Sequence, residues 1–89
     1  MPQAIVDPEQ LRKFATALKT FSDELEQRAS SLNGQMNQLS ETWRDQQHRK
    51  FAAEFETELK QIGRLIKSSQ EHIPYLLRKA EQVDAYLKG

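Results

Sequence analysis

The sequence predicts an all-α fold, an antiparallel two-helix hairpin that dimerises into a four-helix bundle. Three observations predict it. Leucines recur every seven residues through the first half, at Leu11, Leu18, Leu25, Leu32 and Leu39. A second apolar series fills the latter half with alternating spacings of three and four. Between them lies a short polar stretch around Trp43. A heptad rhythm is that of a helical seam, whereas strands need a period of two.

The first helix is expected over about 8–41. Asp7 is a good N-cap, Pro8 suits the first helical position, and Gln10 can close a capping box back onto Asp7. Val6 and Leu11 fall at the two positions of a hydrophobic staple. Phe14 and Phe21, three residues after Leu11 and Leu18, read as the companion line of the seam. Further along, Arg28 and Gln35 take that line while Ala29 and Met36 sit one residue on, the drift of about 20° per heptad expected of a straight helix.

The turn is placed at about 42–46, Thr42-Trp43-Arg44-Asp45-Gln46, because no apolar heptad partner follows Trp43 until Phe51. A short connection between helices makes them antiparallel neighbours. The second helix, about 47–87, carries Ala52, Phe55, Leu59, Ile62, Ile66, Ser69, Ile73, Leu76, Ala80, Val83 and Leu87 in unbroken three–four alternation. Gly34 and Gly63 each cost about 1 kcal/mol inside a helix. Pro74 removes one hydrogen bond and crowds the Gln70 carbonyl, at about 3 kcal/mol. The seam keeps its phase across all three, so the glycines read as tolerated and Pro74 as a kink. Two helices meeting near Ser69–Pro74 is the alternative.

Composition narrows the function. The 89 residues make one small domain, 1–89, with no cysteine for disulfides or thiolate metal sites. Thirteen Lys+Arg balance thirteen Asp+Glu, giving none of the positive excess typical of nucleic-acid or membrane-surface binders. No apolar run is long enough to span a bilayer, and the first residues lack the basic start and apolar stretch of a secretory signal. A large buried apolar side chain contributes about 1.5–3 kcal/mol, while ordering each residue costs about 1–2. One stripe per helix cannot offset that. Phe51, Leu65 and Leu77 on the second helix, and Ala15, Ala29 and Met36 beside the first seam, widen the stripe enough to meet a second hairpin. The residues expected at the hairpin and dimer interface are Phe14, Leu18, Phe21, Leu25, Phe55, Leu59, Ile62 and Ile66.

Trp43-Arg44-Asp45, at mid-chain between two amphipathic helices, resembles the Trp-x-Gly turn of the WXG family, the ESAT-like helical hairpins of type VII (ESX) secretion. The resemblance spans nearly the whole chain: length, lack of cysteine and signal peptide, the tryptophan corner, then Phe51 and Phe55. It implies a non-enzymatic hairpin, made in the cytoplasm and secreted without a cleaved signal peptide. The implied partners are an identical or paralogous hairpin and a secretion ATPase. Two departures stand out. Asp45 replaces the glycine, and it serves a corner that needs either a positive φ or an N-cap. The family's export signal, a tyrosine with an acid four residues on, is missing in standard form: Tyr75 is followed there by Lys79, and Tyr86 by only three residues. A partner carrying the signal, a relaxed signal, and a bundle component that is not exported all stay open. The rival reading is an intracellular coiled-coil scaffold or adaptor.

No catalytic, cofactor or metal residues are assigned. The Glu-x-x-His pairs of a di-metal bundle are absent, since Asp45 precedes His48 and Ser69 precedes His72 at that spacing. Glu54 and Glu58, with Lys50 and Lys60 nearby, read as a surface charge ladder. Both histidines, and the cluster Arg44, His48, Arg49 and Lys50, read as solvated. There is no nucleophile–base motif and no phosphate-binding loop.

Overall fold

The computed structural model describes residues 6–88. Helix α1 is Pro8–Thr42 and helix α2 is Gln46–Lys88. They lie side by side as an antiparallel pair measuring 66 × 21 × 14 Å. At about 1.5 Å per residue the longer helix alone accounts for the long dimension. The short one is the thickness of a single layer of helices, so both broad faces of the hairpin are open.

α1 starts at Asp7, whose carboxylate accepts the Glu9 amide at 2.9 Å and whose carbonyl accepts the Leu11 amide at 3.1 Å. The cap therefore serves the second helical residue, not the third that a capping box with Gln10 requires. α2 runs unbroken through Pro74. Pro74 and Gln70 are both exposed, so the hydrogen bond lost at that turn lies where water can replace it.

The seam between the helices has one line where the sequence placed it and one line elsewhere. On α2 the three–four series holds as far as Val83, with Ile66, Ser69 and Ala80 buried and Ala52, Phe55, Leu59, Ile62, Ile73, Leu76 and Val83 half-buried. Leu87, in the last turn beyond the reach of α1, is 56% exposed. On α1 Leu11, Leu18 and Leu25 are half-buried as expected, but their companions are four residues on, not three. Ala15 and Ser22 are buried and Ala29 and Met36 half-buried, whereas Phe14 is 59% and Phe21 50% exposed. The two phenylalanines thus stand off the hairpin seam. The physical reason is closeness: alanine and serine let the two backbones approach where phenylalanine would wedge them apart. The buried Ser22 hydroxyl is satisfied within α1, donating to the Leu18 carbonyl at 2.8 Å.

An ion pair between Arg12 and Asp84 ties the open ends together. It raises the Arg12 guanidinium above its ordinary range, chiefly through the hydrogen bond to Asp84. Ala15 and Ala80, the most closely packed apolar residues, lie just inboard of it.

Gly34 and Gly63 sit within these helices, and a methyl group at either would meet no atom within 4 Å. Gly34→Ala and Gly63→Ala are each expected to stabilise the fold by about 0.4–1 kcal/mol through the unfolded chain. Thermal melts of the single and double variants check this, and the two gains should add.

Candidate functional site

The corner comprises Trp43, Arg44 and Asp45. The Trp43 amide donates to the Leu39 carbonyl at 2.9 Å, closing the last turn of α1, and Trp43 itself is extended at φ −108°, ψ 107°. Arg44 turns back and donates from Nε to the Glu41 carbonyl at 3.0 Å, serving one of the carbonyls a helix end leaves unpaired. Asp45 then caps α2, its Oδ1 accepting the His48 amide at 2.9 Å. Of the two ways to make this corner without glycine, the chain uses the N-cap.

His48 is not the solvated residue the sequence suggested. It is half-buried, its ring edge-on to the Trp43 indole at 5.1 Å between centroids. Its Nε2 lies 2.8 Å from the Ser40 hydroxyl, which also donates to the Met36 carbonyl at 2.9 Å. With the hydroxyl proton committed to Met36, Nε2–H is the donor to Ser40. The corner is thus pinned by a chain of contacts between the two helices. Phe51 continues it, 5.9 Å from Trp43, and stacks on Phe55 at 5.8 Å. His72, by contrast, is exposed and touches only Ser68 among described hydrogen-bond partners, at 3.3 Å.

The Asp45 carboxyl is held below the usual carboxylate range, first by the His48 amide, then by the Trp43 side chain, the Gln47 amide and the His48 charge. A carboxylate whose folded pKa is depressed contributes stability above its unfolded value, about 3.9. That contribution is lost as pH falls through the folded value. Asp45→Asn keeps a capping oxygen but removes the charge, so its melting temperature should fall less than wild type's below about pH 4. Parallel melts from neutral to acid pH check this.

The two open faces differ. On one, Leu32, Gln35, Met36 and Leu39 of α1 and Phe51 and Phe55 of α2 line a groove of about 570 Å³. Phe14, Phe21 and Leu65 lie farther from the corner in the same heptad columns as Gln35 and Phe51, with Arg28 and Glu58 between. All three are 49–59% exposed, as Leu32, Leu39 and Phe51 are 42–46%. The opposite face mixes polar and apolar residues, with Leu77 41% exposed in the heptad column of Gly63 and Asp84. There Arg12 meets Asp84, and Glu26 and Asn33 share a cleft with Gly63.

Of the residues expected at an interface, Ile66 is buried and Leu18, Leu25, Phe55, Leu59 and Ile62 are half-buried between the helices, while Phe14 and Phe21 stand on the open apolar face. Trp43 is half-buried, and Arg44 and Asp45 are exposed. The Ser40–His48 link and the Arg12–Asp84 pair went unseen in the sequence. The first could have been sought, since Ser40 and His48 flank the corner at similar distances. The second depends on a register that only the fold supplies.

Among the described residues no three His, Asp or Glu side chains come together as a metal-ion site, and no helix is long and apolar enough to cross a membrane. Fold and corner define a two-helix hairpin with both broad faces open, one of them carrying exposed aromatic side chains. The family model described as WXG100, proteins of 100 residues with WXG, matches residues 3–86, and the chain belongs to that family. Comparison with curated proteins and with solved structures gives no match.

Proposed function

We propose that this chain is a secretion-associated pairing module. It covers its apolar face with another helical hairpin, giving a four-helix bundle, and is handled by a type VII secretion ATPase as a folded pair. It performs no catalysis and is exported without a cleaved signal peptide. One observation carries the pairing. Among the described residues the single hairpin buries only three apolar residues, Ala15, Ile66 and Ala80, while leaving aromatic and aliphatic side chains half-exposed along one face. Exposed large apolar side chains gathered on one face, as Leu32, Leu39, Phe51, Phe14, Phe21 and Leu65 are, point to an interaction site. Membership of WXG100 supports the secretion reading.

Lys79 occupies the position four residues after Tyr75 where the family's signal places an acid, which favours a pair whose other member presents that signal. Two measurements test the reading. The chain should appear in culture supernatant as intact protein and disappear from it when the secretion ATPase gene is deleted. Retention inside the cell in both backgrounds would favour the scaffold reading instead. Sedimentation of the purified chain, alone and with paralogous hairpins from the same genome, should show a species of two chains. A well-folded lone hairpin in every mixture would defeat the pairing.

A further inference from the structure

We infer that Asn33 is a site of spontaneous backbone modification, gated by local opening of the hairpin where Asn33-Gly34 of α1 passes Gly63 of α2. Asn33 is followed by glycine, whereas the chain's other asparagine, Asn37, is followed by Gln38. In an Asn-Gly step no side chain shields the glycine amide. Once it has given up its proton to solvent, the Gly34 amide nitrogen attacks Asn33 Cγ. The new bond closes a cyclic imide. The bond from Cγ to the side-chain nitrogen breaks, and that nitrogen takes up a proton and leaves as ammonia. Water then opens the imide at either carbonyl. Breaking the newly formed bond gives aspartate, and breaking the original peptide bond gives isoaspartate, in which the main chain runs through Cβ.

The helix withholds this reaction. Asn33 and Gly34 are both exposed within α1, so access of water is not the barrier. Geometry is. In an unbroken α-helix the Gly34 amide donates to the Ser30 carbonyl, and helical dihedrals hold its nitrogen out of line with Asn33 Cγ. That turn must open before the nitrogen can attack.

Opening is easiest at this level of the hairpin. Asparagine and glycine are both poor helix formers, and here they are adjacent. Asn33 lines two adjoining clefts between the helices, of about 300 and 310 Å³. Gly63 shares the first of them and would meet no atom within 4 Å even if it carried a methyl group. Among the described residues the buried ones are Ala15, Ser22, Ile66, Ser69 and Ala80, all toward the open end of the hairpin from Asn33. A segment with few buried contacts opens at low cost. The cleft with Gly63 lies on the face away from the corner groove, so the reaction does not depend on what covers Phe51 and Leu65.

The two products differ in consequence. Aspartate at this position is compatible with the helix and adds a carboxylate to the column of Glu26. Isoaspartate lengthens the main chain by one carbon and puts α1 out of phase beyond Leu32, so Met36 and Leu39 lose their register on α2. Refolding does not reverse either change. Asn33 therefore keeps a permanent record of time spent open.

The test is incubation of the full chain at mildly alkaline pH, with peptide mass spectrometry following conversion and an isoaspartate-specific label separating the products. Asn33 should convert while Asn37 does not, and conversion should be at least about tenfold faster in strong denaturant than in native buffer. Gly63→Ala leaves the reacting dipeptide unchanged. It should slow the native reaction about two- to fivefold and leave the denatured rate alone, whereas Gly34→Ala should slow both. Circular dichroism confirms that each variant is folded. Below the unfolding midpoint the native rate should be nearly flat in urea, because local opening exposes little surface. Equal rates in native and denatured protein would overturn the helix as gate. A native rate that climbs with urea in step with global unfolding, or that Gly63→Ala leaves unmoved, would overturn the local opening. So would an Asn33 that stays intact in native buffer while the denatured chain converts completely.

Discussion

Replacing Phe14 and Phe21 together with aspartate is expected to abolish self-association while leaving the hairpin seam untouched. Both rings are at least half-exposed in the single hairpin, so neither substitution creates a buried charge there. In a bundle of two hairpins the same positions are covered. Four phenylalanines per dimer, each contributing about 1.5–3 kcal/mol on burial, outweigh any plausible compensation. The dissociation constant should rise by more than about a thousandfold. The clearest readout is the dependence of the melting temperature on protein concentration. An associating protein melts higher as its concentration rises, and the double variant should show one midpoint at all concentrations, below that of wild type. If it associates as wild type does, the apolar face is not the interface.

This expectation differs from what the sequence alone suggests for the same residues, and the reason is instructive. Heptad leucines at Leu11, Leu18 and Leu25 announce a seam, and large residues three positions on look like its second line. The structure fills that second line with Ala15, Ser22, Ala29 and Met36 instead. Periodicity specifies the angular spacing of an apolar stripe but not which edge of a wide stripe faces which neighbour. Size decides that, because two long helices joined by a three-residue corner must approach closely along their length. On α2 the apolar series is narrow and regular, and its phase was legible from Ala52 to Val83. The helices and the corner were also legible, since Asp7, Pro8 and the polar gap after Trp43 act locally. Contacts between distant residues, such as Arg12 with Asp84 or Ser40 with His48, depend on register across the hairpin and carry no local signature.

The corner shows how one departure from a family pattern can be absorbed. Where the family places glycine, Asp45 uses its carboxylate to take the His48 amide at 2.9 Å, while Arg44 serves a carbonyl at the end of α1. One carbonyl left over by the end of α1 and one amide left over by the start of α2 are thereby met within three residues. The aromatic chain from His48 through Trp43 and Phe51 to Phe55 then links this turn directly to the apolar groove. A change at the corner is therefore felt at the surface proposed to receive another hairpin.

The largest loss of fold is expected at Ile66. It is the largest apolar side chain buried between the helices, 7% exposed near the middle of α2. Truncating such a residue to alanine costs about 2–5 kcal/mol, and Ile66→Asp adds the penalty of an unpaired charge in an apolar seam. The total exceeds the roughly 5 kcal/mol at the low end of native stability. Ile66→Asp should therefore lose its helical circular dichroism at every concentration. Its neighbour provides the control. Leu65 is 49% exposed on the open face, so Leu65→Asp places its charge in water and should retain helix in concentrated, cool solution while failing to associate. The same chemical change at adjacent positions thus separates folding of the hairpin from pairing of hairpins. Were Leu65→Asp to unfold and Ile66→Asp to remain folded, α2 would be rotated by one residue from the orientation described.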